Sequence, residues 1–185
     1  MVNKNGSIKN MIEFKWRKLT RGITIFIITF FIMGCSDNTV SQKQPNILVI
    51  IVDDLAYTDL GVFGGEIGTP NLDNLANKGI KLSNYYVAPT CSPTRAMLLS
   101  GVDNHLAGMG TMHNEQSDNQ KGRPGYEGYL NFQVAALPNI LKDNNYHTYM
   151  TGKWHLGYEE NNSPSARGFD RSYALLSGGA GHFNN

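Results

Sequence analysis

Cysteine is nearly absent from this chain. Its 185 residues include two, Cys35 and Cys91, too few for a disulfide framework or for a cysteine-type zinc site on their own. No apolar run is long enough to cross a bilayer. Residues 23–33 (I-T-I-F-I-I-T-F-F-I-M) are eleven and mostly apolar, whereas a spanning helix takes about 20. Positive charge is not in excess either. There are 16 Lys+Arg and 15 Asp+Glu, and six of the bases (Lys4, Lys9, Lys15, Arg17, Lys18, Arg21) sit in residues 1–34 beside one acid, Glu13. Over residues 35–185, then, ten bases face fourteen acids, a balance that excludes a polybasic nucleic-acid binder. A hydrophobic content of 41% with 10% aromatics argues against disorder.

The first 35 residues read as an address. A basic flank, K-W-R-K-L-T-R at 15–21, precedes the eleven-residue apolar stretch, the order found in a secretory signal peptide. The stretch ends I-M-G-C at Cys35, which resembles a bacterial lipoprotein signal: cleavage before Cys35 leaves that residue lipidated, and residues 1–34 are the signal peptide. The alternative is an uncleaved membrane anchor. Either way the body is exported, to a bacterial periplasm or cell surface. Residues 35–45 are a polar tether, and residues 46–185 form the body.

Strands and helices alternate along that body. Asn46–Val52 (N-I-L-V-I-I-V) is a continuous β-branched run and predicts a buried central strand, ending at Asp53-Asp54. Thr69-Pro70 opens a helix with Thr69 as N-cap, Leu72, Leu75 and Ala76 on one face, and Gly79 as the stop. Ile80–Ala88 reads as extended. Ser92-Pro93 starts a second helix that closes at Gly101, with Ala96, Met97 and Leu99 facing inward. Residues 102–133 are polar and glycine-rich without a period and predict a long excursion. Val134–Asn144 is a helix that places Pro138 in its first turn if it begins there. Tyr146–Thr151 is a short strand broken by Gly152-Lys153, and Ser172–Leu176 is another. The pattern predicts an α/β fold with a largely parallel central sheet flanked by helices.

Three segments carry candidate chemistry. Asp53-Asp54 lies where ligands gather in such sheets, beyond the carboxyl end of a strand. Adjacent carboxylates suit a hard cation, Ca²⁺ or Mg²⁺, or are simply a turn. In Cys91-Ser92-Pro93-Thr94-Arg95, a helix N-terminus and Arg95 one turn on favour negative charge at the sulfur; the plainer reading is a buried small hydrophobe. A Cys–His nucleophile is also open, with His105, His113, His147, His155 or His182 as partner. In Gly152-Lys153-Trp154-His155-Leu156-Gly157, Lys153 and His155 stand two apart in an extended segment and face the same way, toward an anion, unless the segment is an ordinary loop anchored by its Trp.

Taken together the segments resemble the type I sulfatases of the alkaline phosphatase superfamily, bacterial arylsulfatases above all. The resemblance runs through P-N-I-L-V-I-I-V-D-D-L, G-T-P-N-L-D-N-L-A, Y-Y-V-A-P-T-C-S-P-T-R-A-M-L-L-S-G, A-L-P-N-I-L, G-K-W-H-L-G and A-R-G-F-D-R-S-Y-A-L-L, covering nearly all of residues 45–185. It departs mildly at Ser100, where Thr is more usual, and at Asn145, where Gly is.

The resemblance implies a sulfuric ester hydrolase. Its motif C-x-P-x-R directs a separate formylglycine-generating enzyme to oxidise Cys91 to formylglycine. One hydroxyl of the hydrated aldehyde attacks sulfur, and the other loses its proton to expel sulfate. Asp53, Asp54 and the modified Cys91 are then ligands of Ca²⁺, with Mg²⁺ the less favoured ion. Arg95 holds the hydrate; Lys153 neutralises a sulfate oxygen; His155 hydrogen-bonds the hydrate and accepts its proton. The family's remaining Asp and Asn metal ligands, a further His and a further Lys have no match here. The chain thus reads as an N-terminal fragment with an incomplete sheet, expected to be nearly inactive alone. Two rival functions share the pattern: a phosphate or phosphonate ester hydrolase of the same superfamily, and a non-catalytic surface lipoprotein that binds sulfated glycans.

Overall fold

The computed structural model describes residues 43–181 and 183; Cys35, His182 and the signal segment lie outside them. The chain divides into two units, 1–50 and 51–185. In the first, residues 43–50 form no regular element, and Leu48 is 84% exposed.

This corrects the strand expected at Asn46–Val52. No strand pairs with it among the described residues, and Ile47, Val49, Ile50, Ile51 and Val52 are exposed. A continuous apolar run suits a strand covered on both faces, and the described residues lay no such cover over it.

The second unit is α/β. Its regular elements are helix α1 (Pro70–Lys78), helix α2 (Cys91–Ser100), helix α3 (Leu137–Asp143), strand β1 (Tyr149–Lys153) and strand β2 (Arg171–Leu175), with short 3₁₀ turns at Tyr57–Asp59, Gly61–Phe63, His113–Glu115 and Glu160–Asn162. Helix α1 begins at Pro70, where a missing N–H costs nothing. Its expected cap works differently. The Thr69 hydroxyl accepts from Gly61 N (2.9 Å) and donates to Asp73 Oδ1 (2.8 Å), while Val62 N donates to the same oxygen (2.8 Å). Thr69 thus ties the helix to the preceding 3₁₀ turn rather than capping its N–H groups. Leu72 and Leu75 are exposed.

Helix α2 ends as its sequence dictates. Gly101 takes φ 69°, left-handed, and its N–H closes on Met97 O. Helix α3 starts at Leu137, so Pro138 falls in its first turn and is buried.

Strands β1 and β2 pair in parallel, Tyr149 opposite Arg171 through Lys153 opposite Leu175. The expected break at Gly152-Lys153 does not occur; both belong to β1, because Gly152 keeps its place in the register at φ 106°. Pairing even outlasts the strand. Trp154 N donates to Leu175 O (2.8 Å) and His155 N to Leu176 O (3.1 Å).

The core lies against this ladder. It consists of Ala96 from α2, Ala107, Met109 and Leu130 from the 102–133 segment, Ala136, Trp154 and Leu156. Trp154 is 1% exposed, meets Phe169 edge-on at 6.2 Å, and donates Nε1–H to Asn162 O at 3.0 Å. An indole buried whole needs that partner.

Candidate functional site

The reactive residues gather where β1 ends and α2 begins. Cys91 is the first residue of α2, and Arg95 stands one turn on, on the same face. Lys153 closes β1, and His155 follows at φ 56°. The expectation that Lys153 and His155 share a side of one extended segment therefore needs correction. His155 has left the strand in a left-handed turn, and the two reach the site along different paths. Asp53 comes from the turn after Val52, where Asp54 sits at φ 55°, a conformation that Asp tolerates better than most residues.

Asp53 is the hub. Lys153 Nζ donates to Oδ2 at 2.7 Å, and Arg95 Nη2 lies 3.7 Å from Oδ1. Arg95 also donates Nη1–H to Lys153 O at 2.7 Å, so one guanidinium fixes the end of β1 and faces Asp53 together. The hydrogen bond from Lys153, against the opposing effect of burial, holds the Asp53 carboxyl below the ordinary carboxylate range; the charges of Lys153 and Arg95 add to it. Burial pulls the Lys153 ammonium down, but Asp53 and the nearby Cys91 more than offset this, and the net displacement is upward.

Opposite this cluster, the Cys91 sulfur lies 3.2 Å from His155 Nδ1 and 3.6 Å from Met112 Sδ. His155 is buried, and burial first, then the positive charges of Lys153 and Arg95, depress its pKa below that of a free imidazole despite Asp53. A neutral ring facing Cys91 can accept a proton there.

A cavity of about 390 Å³ opens on this pair, bounded by Met112, Asn114, Tyr158 and Ser177–Gly179. Nothing in the sequence marked Ser177-Gly178-Gly179 as part of a site. A Cβ on Gly178 would fall 2.6 Å from His155 Nε2, so only glycine lets that backbone lie against the ring.

Of the predicted residues, Cys91, Arg95, Lys153, His155 and Asp53 converge. Asp54 does not join them through any hydrogen bond or ion pair among the described residues. His105 pairs instead with Asp103 (3.2 Å) and Tyr126 (3.2 Å), and His147 lies 3.6 Å from Asp170. The His113 ring lies tilted against Tyr158, 5.5 Å between centroids. The adjacent carboxylates are the right donor type for a hard cation. Among the described residues, however, no group of three His, Cys, Asp or Glu side chains forms, and Ca²⁺ takes six to eight oxygens. These residues supply part of a cation shell and no more.

Comparison with known proteins places the chain in a family. Residues 45–181 match the family model described as Sulfatase. The chain is 55% identical over 145 residues to an uncharacterized sulfatase of Schizosaccharomyces pombe, covering 77% of this chain and 26% of that protein. It is 43% identical over 154 residues to an arylsulfatase of Klebsiella aerogenes, covering 83% and 33%. Among solved structures, Ps i-CgsB superimposes with a TM-score of 0.66 at 36% identity, over 76% of this chain and 30% of that one. The PsFucS1 sulfatase from Pseudoalteromonas sp. gives 0.59 at 35%, over 73% and 26%. The chain spans about a quarter to a third of the length of these relatives.

Proposed function

The chain belongs to the sulfatase family, and from that premise we propose that the protein hydrolyses sulfate esters, releasing an alcohol or phenol and inorganic sulfate with consumption of one water. The observation that carries the proposal is the convergence of Cys91 and His155, 3.2 Å apart, beside an Asp53 carboxylate already paired with Lys153 and Arg95. Formylglycine made from Cys91 supplies, once hydrated, two hydroxyls on one carbon, one to attack sulfur and one to drive out sulfate.

The other residues do the rest. Lys153 and Arg95 form a fixed cationic wall for the tetrahedral oxyanion, and preorganised charge of this kind is usually the largest catalytic contribution. His155, kept neutral by burial and by those same cations, takes a proton at Nδ1 from the side chain at position 91. Arg95, anchored on Lys153 O, holds the two cations in register. Asp53, Asp54 and the modified Cys91 would supply oxygen ligands to Ca²⁺, in preference to Mg²⁺, and the ion would act there as a Lewis acid on the sulfate oxygens. Because the chain spans only about a quarter to a third of its relatives' length, residues 35–185 alone are expected to turn over slowly.

Partners follow from the same reading. A formylglycine-generating or sulfatase-maturating enzyme acts on C-S-P-T-R, and lipidated Cys35 tethers the exported protein to a bacterial membrane. A peptide mass across Cys91, in protein co-produced with a maturase, tests the chemistry: the aldehyde is expected, and an intact thiol in a protein that binds sulfated glycans without cleaving them overturns it. Matched aryl sulfate and aryl phosphate esters separate this reading from a phosphatase. Radiolabelled fatty acid incorporation lost in Cys35→Ala tests the anchor.

A further inference from the structure

A second and larger cavity, about 840 Å³, adjoins the one at Cys91; Asn114 and Tyr158 line both. Tyr129, Phe132 and Tyr158 give it aromatic faces, and its charged side chains are Glu127 and Glu159, with no Lys or Arg in its lining. Glu127 Oε2 is buried without a hydrogen-bond partner, and neither glutamate has an ion-pair partner among the described residues. The nearby Arg167 guanidinium stacks on Phe132 at 4.5 Å but is itself buried and does not line the cavity. The cluster at Cys91 attracts an anion; the adjoining cavity has the opposite sign.

We infer that this cavity receives the leaving alcohol of the ester, and that Glu127 and Glu159 select a neutral or cationic leaving group over one bearing a second anionic substituent. The inference rests on the sulfate ester hydrolase reading. A substrate spanning both cavities places its sulfate among Lys153, Arg95 and His155 and its ring on Tyr158. A second sulfate or carboxylate on that ring then enters a space walled by carboxylates without ion-pair partners, where like charges repel most strongly at low ionic strength.

The test uses the matured enzyme and three aryl sulfates of similar size whose leaving phenols carry a para trimethylammonium, nitro or carboxylate group. Dividing each variant's kcat/KM by the wild-type value for the same substrate removes differences in intrinsic reactivity. Glu127→Gln and Glu159→Gln are each expected to raise the carboxylate-to-nitro ratio by about three- to tenfold at low ionic strength and to lower the trimethylammonium-to-nitro ratio, chiefly through KM. In the wild type, added salt should narrow the spread. Ratios indifferent to both substitutions and to salt, in an enzyme that cleaves all three esters, overturn the inference and leave the hydrolase reading intact. An enzyme that cleaves none of them overturns both.

Discussion

Replacing Gly178 with Ala tests whether the imidazole of His155 must hold its observed position. A methyl at 178 would stand 2.6 Å from Nε2 and 2.9 Å from Nδ1 of that ring. Carbon and nitrogen prefer about 3.5 Å or more, so the ring has to retreat by about 1 Å. It has little room to do so. His155 is 5% exposed, its backbone N–H is held by Leu176 O, and Cys91 lies against Nδ1. Overpacking of this kind costs about 1–3 kcal/mol in stability, and a displacement near 1 Å in a catalytic group costs about a hundredfold in rate, or about 2.7 kcal/mol of barrier. Gly179→Ala is the matched control, because nothing lies within 4 Å of its Cβ position and neither glycine has a positive φ. The assay is hydrolysis of 4-nitrophenyl sulfate by matured enzyme, with thermal unfolding run in parallel. Gly178→Ala should lose about a hundredfold in kcat while Gly179→Ala stays within a factor of two or so, a surface-type effect. A folded Gly178→Ala enzyme with wild-type turnover would show that the ring's position does not matter, and the proton-acceptor role would fall.

Three further outcomes follow from the same geometry. Lys153→Met removes the ammonium that pairs with Asp53 at 2.7 Å and should raise the barrier by about 3–4 kcal/mol, as loss of an oxyanion donor does; steady-state kinetics within tenfold of wild type would contradict it. Because burial, then Lys153 and Arg95, lower the His155 pKa, the acid limb of the pH–rate profile should fall below the free-imidazole value of 6.5. The linked stability is present above that value and lost as pH drops through the folded pKa; an acid limb above 6.5 would be inconsistent. Trp154→Ala empties a fully buried site and leaves Asn162 O without its donor, so chemical denaturation should show a loss of about 3–5 kcal/mol.

What the sequence made legible was local. Gly79 and Gly101 mark helix ends because a left-handed or broken backbone there is a property of one residue. Cys91 and Arg95 share a face because four residues make a turn. The 102–133 segment was opaque for the opposite reason. It supplies Ala107, Met109 and Leu130 to the core, yet no period announces them. They are buried by close backbone approaches at Gly108 and Gly128, both at positive φ, where a Cβ would collide with Tyr129 O and with the His113 ring. Contacts between residues 15 and 21 positions apart leave no repeat to read. Asn46–Val52 failed differently: its composition states what the run needs around it, and burial depends on neighbours that composition cannot supply.

The pairing of Cys91 with His155 also bears on the choice between a thiol enzyme and a precursor of formylglycine. A separation of 3.2 Å would suit a thiolate–imidazolium pair equally well. Such a pair needs the imidazole to hold its proton at working pH, and the surroundings oppose that. His155 is buried, and Lys153 and Arg95 both bring positive charge toward it, with only Asp53 opposing them. Lys153 also interacts with the side chain at position 91 and favours an anion there. The site therefore favours a negative centre beside a neutral base, the requirement of a hydroxyl nucleophile acting on an anionic ester, over a zwitterionic thiol pair. Thiol alkylation decides the matter: a matured enzyme that keeps full activity after iodoacetamide has no thiol at its centre, whereas one inactivated in proportion to labelling at Cys91 is a cysteine hydrolase.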